Sequence, residues 1–570
     1  MLKSWLREEI SSKFPDIEFD ILTPPDEKMG DYSVNLAFAL AKREKIQPME
    51  AGKNLIGEFS GDKELGKKFG KIQLVPPGFI NFYLGEDYLQ KQLEEISKDD
   101  KYGSSKEGRG KKVIVEYSSP NIAKPMHIGH LRSTIIGDAL ANVYENLGYK
   151  VIRWNYIGDW GTQFGKLIAA YNKWGAVFEG TYSDSIKVML DLYVRYHKEM
   201  VEHPELEQTG QQEFKKLEEG DSKNRELWKK FKEISLAELK KTYKELAVAL
   251  NSDDVVNMGE SDFISGGEKI IKELVDASIG KKSEGAFIVE LNEFNLPPAL
   301  LRKSDGATLY MTRDIASLEY RIQTYQPLDL ILYVVANQQS LHFEQLFAVA
   351  KKIGLHLPRL KHVKFGMVLG EDGKKLATRE GKVIPLQEVI DKITALARQT
   401  VKQKNPDLSP EEIEKVAHVV GIGALKYNDL KQHPYSDITF DWKAMLDLSG
   451  NSGPYIQYTY ARLANILNKA GKHSAGNLST LSEPSVRALM RQLLDFPDAI
   501  VECTKFYTLN ALALYLYKLA HSANQFYEQI HILEDDNIAH RDARLTLIQA
   551  VAAVLKRGLN LLGIEVLERI

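Results

Sequence analysis

Hydrophobic positions along this chain switch period several times, and each switch marks a change of element. Between residues 112 and 117 the run KVIVEY is a compact apolar block, the pattern of a strand covered on both faces. A Ser/Pro/Asn turn follows, and HLRSTIIGDALANVYENL then carries the three-to-four-residue period of a helix. Gly148 ends that helix, and YKVIRWNYIGD returns to a strand pattern. Strand, helix and strand in this succession predict a parallel sheet. From about Gly175 to Pro297 the pattern becomes that of highly charged helices, as in EFKKLEEGDSKNRELWKKFKEISLAELKKTYKEL, placed as an insertion with a solvated face. DLILYVVAN and KHVKFGMVLG bring the sheet back, and from about Glu388 nearly everything reads as helix, ending in RLTLIQAVAAVLKRGLNLLGI. Ahead of the sheet, residues 1–108 read as a small unit with helices near both ends and an apolar run, KIQLVPPGFINFYL, broken by a Pro-Pro-Gly turn.

The expected fold class is therefore α/β in its centre, with three parts. An N-terminal α+β domain spans 1–108, and SSKEGRGKK serves as a linker. An α/β domain with a parallel sheet spans 109–387 and carries the helical insertion at about 175–297. An all-α helical bundle fills 388–570. A length of 570 residues suits several cores rather than one, and 44% hydrophobic with 27% charged residues is ordinary globular composition. The net charge of −3 excludes a uniformly basic nucleic-acid binder while leaving room for local basic faces. A single cysteine, Cys503, excludes an intrachain disulfide and a cysteine-rich zinc site. The opening MLKSWLREEISSKF is charged and amphipathic, and no window approaches the apolar length of a membrane span. A cytoplasmic protein without membrane partners is expected.

The most informative stretch is VIVEYSSPNIAKPMHIGHLRST. A buried strand runs through a tight turn into a helix N-terminus, where unpaired backbone N–H groups and the positive helix end favour phosphate. His127 and His130 project side by side from the first turn, Gly129 leaves the backbone open to a flat purine, and Lys124 adds a cation. Two histidines at a helix start also serve as surface residues or caps, and the residue pattern alone leaves that alternative open.

The run His127-Ile128-Gly129-His130 resembles the signature of class I aminoacyl-tRNA synthetases, and SSPNIAKPMHIGHLRSTIIGD resembles their arginine-specific branch. The resemblance implies a Rossmann-type catalytic domain that forms an aminoacyl-adenylate from ATP, with Mg2+ bound on the nucleotide and no structural metal. It also implies that His127 and His130 stabilise charge on the α-phosphate, and that the stretch GEDGKKLATREGKV is the family's lysine loop. Here Lys375, Leu376, Ala377 and Thr378 stand where the family has Lys-Met-Ser-Lys, so the second lysine is missing. The resemblance implies that Lys124 takes over its work, beside Lys374 and Lys375.

Recognition of a planar guanidinium calls for carboxylates in fork geometry and an aromatic wall. The resemblance places Glu116, Tyr310 and Asp314 around the arginine side chain, with Asp314 at a helix start, and Ser119, Asn121 and Gln338 on its amino and carboxylate groups. It further implies tRNA-Arg as partner and a monomer. Tyr455, Tyr458, Arg462 and Tyr527 are the expected RNA contacts in the helical bundle. In the N-terminal unit Phe79 and Asn81 are expected at the tRNA elbow, although Pro76 departs from the Asn of some members. Two rivals stand beside this reading. Another class I synthetase or a smaller nucleotidyltransferase is opposed by the acidic pair Glu116 and Asp314, and a non-catalytic tRNA-binding paralogue is supported only by the degenerate lysine loop.

Overall fold

The computed structural model describes residues 2–24, 27–178, 180–252, 254–304, 309–370, 373, 384–481 and 483–570. At its centre lies a five-stranded parallel sheet. In chain order its strands are Lys112–Glu116, Lys150–Ile157, Val256–Gly259, Leu330–Ala336 and Arg359–Phe365, and in space they run fifth, fourth, first, second, third. The first and fourth strands are neighbours, with Glu116 opposite Tyr333, and the chain winds away from them in opposite directions. That reversal opens a crevice at the carboxyl ends of the strands, where α/β sheets hold ligands. Both faces of the sheet are covered: Val113, Val115, Leu332 and Val334 join one apolar core, and Ile114, Trp154 and Ile331 join another. This is why the strands read as continuous apolar runs rather than alternating ones.

The inserted helices are Tyr182–Glu202, Glu205–Glu219 and Ser222–Glu245. Their charge lies outward while Ile186, Met189, Tyr196, Leu217, Phe231 and Leu239 are buried. The insertion is shorter than the sequence pattern suggested. Its three long charged helices stop at Glu245, and Val256–Gly259, inside the expected 175–297 span, is an edge strand paired with Trp154–Ile157, with one more helix, Ile264–Asp276, after it. Four residues at a sheet edge, alternating in burial, offer too little apolar pattern to announce a strand. A small antiparallel sheet follows, Gly280–Ser283, Ala286–Leu291 and Leu296–Arg302.

The N-terminal unit carries a four-stranded antiparallel sheet, in which Phe69–Val75 and Phe79–Leu84 flank the Pro76-Pro77-Gly78 turn. The C-terminal helices include Leu386–Lys404, Pro410–Leu430, Gly453–Ala470, Pro484–Phe506, Asn510–Gln529 and Ile538–Leu561. Several links tie this bundle to the sheet domain, and two are central. Arg132, buried on helix Ile128–Asn146, forms a bidentate pair with Asp429 (Nε to Oδ2 2.9 Å, Nη2 to Oδ1 3.2 Å), and its Nη1 donates to the Ser436 carbonyl. The two-residue strand Val368–Leu369 pairs in parallel with Ile438–Thr439.

Candidate active site

The turn between the first strand and helix Ile128–Asn146 is strapped from several sides. Ser118 and Ser119 both adopt left-handed backbone angles (φ 67° and 44°), which turn the chain sharply off the strand. The Ser118 amide donates to Ser133 Oγ, Ser133 donates on to the Val334 carbonyl, and Thr134 donates to Ser118 Oγ. The inserted helix Ser222–Glu245 adds Tyr243, whose hydroxyl lies 2.8 Å from Ser118 Oγ, and Ser235, which accepts from the Ala123 amide. The insertion thus buttresses the turn from behind.

At the helix start, His127 is the N-cap residue. Its Nδ1 accepts from the Gly129 amide, and its own amide donates to His130 Nδ1, each at 3.1 Å. Both imidazoles spend Nδ1 as an acceptor, so in the neutral ring the proton of each sits on Nε2. Burial, then the neighbouring His127 and Lys124, push the His130 pKa down to about 3, which keeps its ring neutral near pH 7. The two rings lie 3.8 Å apart between centroids. A Cβ at Gly129 would come within 2.9 Å of the His127 ring, so this position excludes any side chain while the cap is formed. The cap and the donors are one device.

The same turn forms one wall of a cavity of about 420 Å³ at the strand reversal. Ser119, Asn121, Glu116, Tyr156, Tyr310, Asp314 and Tyr333 all line it. Glu116 is not a carboxylate facing water: it is only 4% exposed, and Arg321 Nη2 lies 2.5 Å from its Oε2. Burial raises the Glu116 pKa, with Arg321 opposing. The Arg321 guanidinium in turn lies 4.2 Å above the Trp154 ring, with Tyr156 and Tyr333 beside it. The helix runs Tyr310–Thr324 with Leu309 as cap, and Asp314, one turn in, lies 2.7 Å from His342 Nε2. Tyr310, 51% exposed, stands at the mouth with its ring 4.9 Å from that of His342. A third pair, Arg313 with Glu260 (2.7 and 3.1 Å), completes the lining; burial raises the Glu260 pKa, opposed by Arg313. The hydroxyls of Tyr156 and Ser317 and Arg321 Nε and Nη1 are buried with no hydrogen-bond partner among the described residues. Buried polar groups in this state call for a ligand or water.

Other expected residues fall differently. Gln338 is exposed and does not line the cavity; its neighbour Gln339 does, because the turn Asn337–Gln339 rotates successive side chains apart. Lys124 is half-buried and close enough to lower the His130 pKa. Lys374 and Lys375 lie outside the described residues. The segment following them is docked on the signature: the Ile128 amide donates to the Ile384 carbonyl and the Leu386 amide to the Met126 carbonyl. In the bundle, Tyr455, Tyr458 and Arg462 share a polar cavity of about 290 Å³ with His521 and Asn524. Tyr455 is nearly buried, whereas Arg462 is exposed and lies 5.4 Å over the Tyr527 ring. Phe79 packs edge-on against Phe38. Asn81 is corrected as a surface contact: it is 3% exposed, and its Oδ1 accepts from Ser33 Oγ across the sheet.

Arg321, His342, Arg313, Glu260 and Gln339 were not singled out from the sequence. A signal was present for some of them, since Tyr310, Arg313, Asp314, Ser317 and Arg321 repeat at helical spacing on one face.

Residues 92–442 match the family model of the class I (R) tRNA synthetase catalytic domain, 456–570 the DALR anticodon binding domain, and 1–84 the arginyl tRNA synthetase N-terminal domain. Among curated proteins, an arginine–tRNA ligase of Halothermothrix orenii is 40% identical over 560 residues, covering 97% of this chain and 96% of the relative. One of Clostridium kluyveri is 41% identical over 573 residues, covering 99% and 98%. The solved arginyl-tRNA synthetase of Thermus thermophilus superimposes with a TM-score of 0.83 at 27% identity over the whole of both chains, and that of Plasmodium falciparum with 0.79 at 28%, covering 100% of this chain and 98% of the other. With its signature helix, strand-reversal cavity and all three domains accounted for, this chain belongs to the arginyl-tRNA synthetase family of class I aminoacyl-tRNA synthetases.

Proposed function

We propose that this chain activates L-arginine with ATP, forming arginyl-adenylate and pyrophosphate, and then esterifies arginine to the 3′-terminal adenosine of tRNA-Arg. The observation that carries the reading is the charge of the cavity. Three carboxylates (Glu116, Glu260, Asp314) and two guanidinia (Arg313, Arg321) line it, an excess of one carboxylate. One guanidinium balances it. Glu116 and Glu260 already have internal arginine partners, which leaves Asp314 as the carboxylate for the substrate side chain, with Tyr310 as the wall at the mouth. Ser119 and Asn121, on the turn that leads to the signature, face the amino and carboxylate groups.

In the first step an arginine carboxylate oxygen attacks the α-phosphorus and pyrophosphate leaves. His127 and His130 donate Nε2–H to the charge that builds on the α-phosphate, and Gly129 admits the purine to the backbone. Lys124 supplies a cation, with Lys374 and Lys375, to the leaving pyrophosphate. In the second step the ribose 2′-OH of the terminal adenosine attacks the activated carbonyl and AMP leaves. Mg2+ arrives on the nucleotide, held by phosphate oxygens and water. Among the described residues no group of three His, Cys, Asp or Glu is placed to hold a metal. Tyr458, Arg462 and Tyr527 offer stacking and donor groups for unpaired bases at the bundle, with Tyr455 beneath them, and Phe79 is the remaining candidate at the N-terminal unit. The protein acts as a cytoplasmic monomer; no described helix is long and apolar enough to cross a membrane. Aminoacylation of total tRNA with each of the twenty amino acids tests the reading: arginine alone is charged, and charging of any other amino acid at comparable kcat/KM overturns it.

A further inference from the structure

The second strand, Lys150–Ile157, and the edge strand Val256–Gly259 pair as far as Ile157 opposite Gly259, where their ladder ends. Each chain then supplies one end of the cavity. Gly158 carries the end assigned to the amino and carboxylate groups. Its amide donates to the Pro120 carbonyl, its carbonyl accepts from the Ile122 amide, and Asn121 Oδ1 lies over it where a side chain would stand. Glu260 carries the other end, where Arg313 Nε and Nη2 both donate to its Oε2. The next residue on each chain, Asp159 and Ser261, joins the two.

Taking the cavity as the arginine site, we propose that Asp159 is a positioning residue that sets the distance between the Asn121 end and the Glu260–Arg313 end, and with it the length of side chain the cavity accepts. Asp159 is fully buried and stands behind the cavity wall. Its Oδ1 accepts from the Ser261 amide at 2.8 Å, and its Oδ2 accepts from Ser261 Oγ at 2.6 Å and from Lys232 Nζ at 2.5 Å. Its carbonyl accepts from Trp228 Nε1 at 2.8 Å. Lys232 and Trp228 belong to the inserted helix Ser222–Glu245, so one residue ties a strand end, the edge strand and the insertion together. Gly259 shows how closely the carboxylate is seated. Its backbone is extended (φ −120°, ψ 179°) and open to any residue, yet an added Cβ would run into both Asp159 carboxylate oxygens.

Charge-assisted hydrogen bonds to a buried carboxylate hold Ser261 in place, and Ser261 fixes Glu260 beside it. Glu260 in turn holds Arg313, the neighbour of Asp314 on helix Tyr310–Thr324. The contacts run Gly158, Asp159, Ser261, Glu260, Arg313, and they link the end assigned to the amino and carboxylate groups with the carboxylate assigned to the guanidinium. Arginine spans both ends, whereas a homologue with one methylene more or fewer engages only one of them. Discrimination by one methylene is about 10–200-fold in a fixed pocket. The contacts of Asp159 are separable by substitution. Asp159→Asn keeps an oxygen for the Ser261 amide and an NH2 that donates to Ser261 Oγ, and it loses only Lys232, whose side chain is 21% exposed and can turn to solvent. Asp159→Ala loses all three.

The test is steady-state aminoacylation by the full chain, reading the arginine KM, the ATP KM and the inhibition constants of homoarginine and norarginine, one methylene longer and one shorter. Asp159→Ala is expected to raise the arginine KM about tenfold, the scale of one lost charge-assisted hydrogen bond, with the ATP KM within about twofold of wild type. The preference for arginine over both homologues is expected to fall by a similar factor, because their inhibition constants hardly move. Asp159→Asn is expected to restore most of the arginine KM and of the preference. Gly259→Ala, which pushes the carboxylate aside, is expected to reproduce Asp159→Ala and to add nothing to it in the double variant. A purely structural role would lower kcat through loss of active enzyme and leave both KM values and the preference as they are. That result in Asp159→Ala overturns the proposal, as does an ATP KM that rises with the arginine KM, or an Asn variant no better than the Ala variant. Should Asp159→Ala fail to fold, Gly259→Ala takes its place, and an unmoved preference there refutes the clamp. An unchanged arginine KM in Asp159→Ala beside a raised one in Asp314→Asn strikes Asp159 alone, whereas unchanged values in both bring down the assignment of the cavity itself.

Discussion

His130 has two jobs at two different nitrogens, and substitutions can separate them. Its Nδ1 accepts the His127 amide at 3.1 Å and closes the reciprocal cap of helix Ile128–Asn146, while its Nε2–H is the donor assigned to the α-phosphate. An N-cap interaction of this kind is worth about 1 kcal/mol, whereas one preorganised donor to transition-state charge is worth roughly 2.7–4 kcal/mol, or about 10²–10³ in rate. His130→Ala removes both. His130→Asn places its amide oxygen near the position of Nδ1 and restores the cap, but it is too short to reach the place of Nε2. His130→Asn is therefore expected to melt within about 1 °C of wild type, the cap being kept, yet to form adenylate about 10²–10³ slower. His130→Ala is expected to show the same kinetic defect and a lower melting temperature. The rate ratio of wild type to His130→Asn should also be flat from pH 5.5 to 8.5, because burial holds His130 neutral with a pKa of about 3. The assay is single-turnover adenylate formation with tRNA present, alongside thermal melting. An adenylation rate for His130→Asn within about fivefold of wild type, far below the effect of one such donor, refutes the assignment of Nε2.

Lys124→Ala should slow adenylate formation about a hundredfold, the scale of one transition-state donor, while leaving arginine binding by calorimetry unchanged; normal single-turnover rates remove Lys124 from the cationic work. Asp314→Asn should chiefly raise the arginine KM with little effect on the ATP KM, and unaltered arginine affinity excludes Asp314 from guanidinium binding. Arg132→Met leaves Asp429 buried without its bidentate partner and should destabilise the junction of sheet domain and bundle by about 3–5 kcal/mol, whereas the double variant with Asp429→Leu should recover much of that loss in denaturant melts. Asp495 accepts from the Tyr32 hydroxyl between the N-terminal unit and the bundle, and burial raises its pKa from 3.8 to about 6. A raised carboxylate pKa contributes stability below pH 3.8 that is lost as pH climbs through 6, so Asp495→Asn should raise the melting temperature at pH 7.5 and leave it unchanged at pH 3.5. The gain at pH 7.5 is at most about 3 kcal/mol, the equivalent of that shift.

The signature turn was legible in the sequence because everything it needs is contiguous. An apolar strand, a turn of small residues and a helix start with His127 and His130 three apart specify strand, cradle and paired donors within some twenty residues. The same holds for the apolar runs at Lys112–Glu116 and Leu330–Ala336, whose burial on both faces is written in their composition. The charged helices were also legible, though not where they end, since the strand Val256–Gly259 exists only because Trp154–Ile157 offers it an edge.

Partnership was not legible. Glu116 reads as an available carboxylate until Arg321 is seen folded back over it from a helix, and nothing near Asp314 in the sequence announces His342, 28 positions on, which reaches it. Arg132 and Asp429 meet across 297 positions. Gln338 and Gln339 differ by one residue, and only the rotation of the turn decides which faces the cavity. Asn81 has the chemistry of an RNA contact but is enclosed by its own sheet. Local chemistry follows from backbone propensity and short-range spacing, which the chain carries in order. The net charge of a cavity is a sum over side chains delivered by separate elements, and only the packing of those elements determines which charges are already matched and which remain for a substrate.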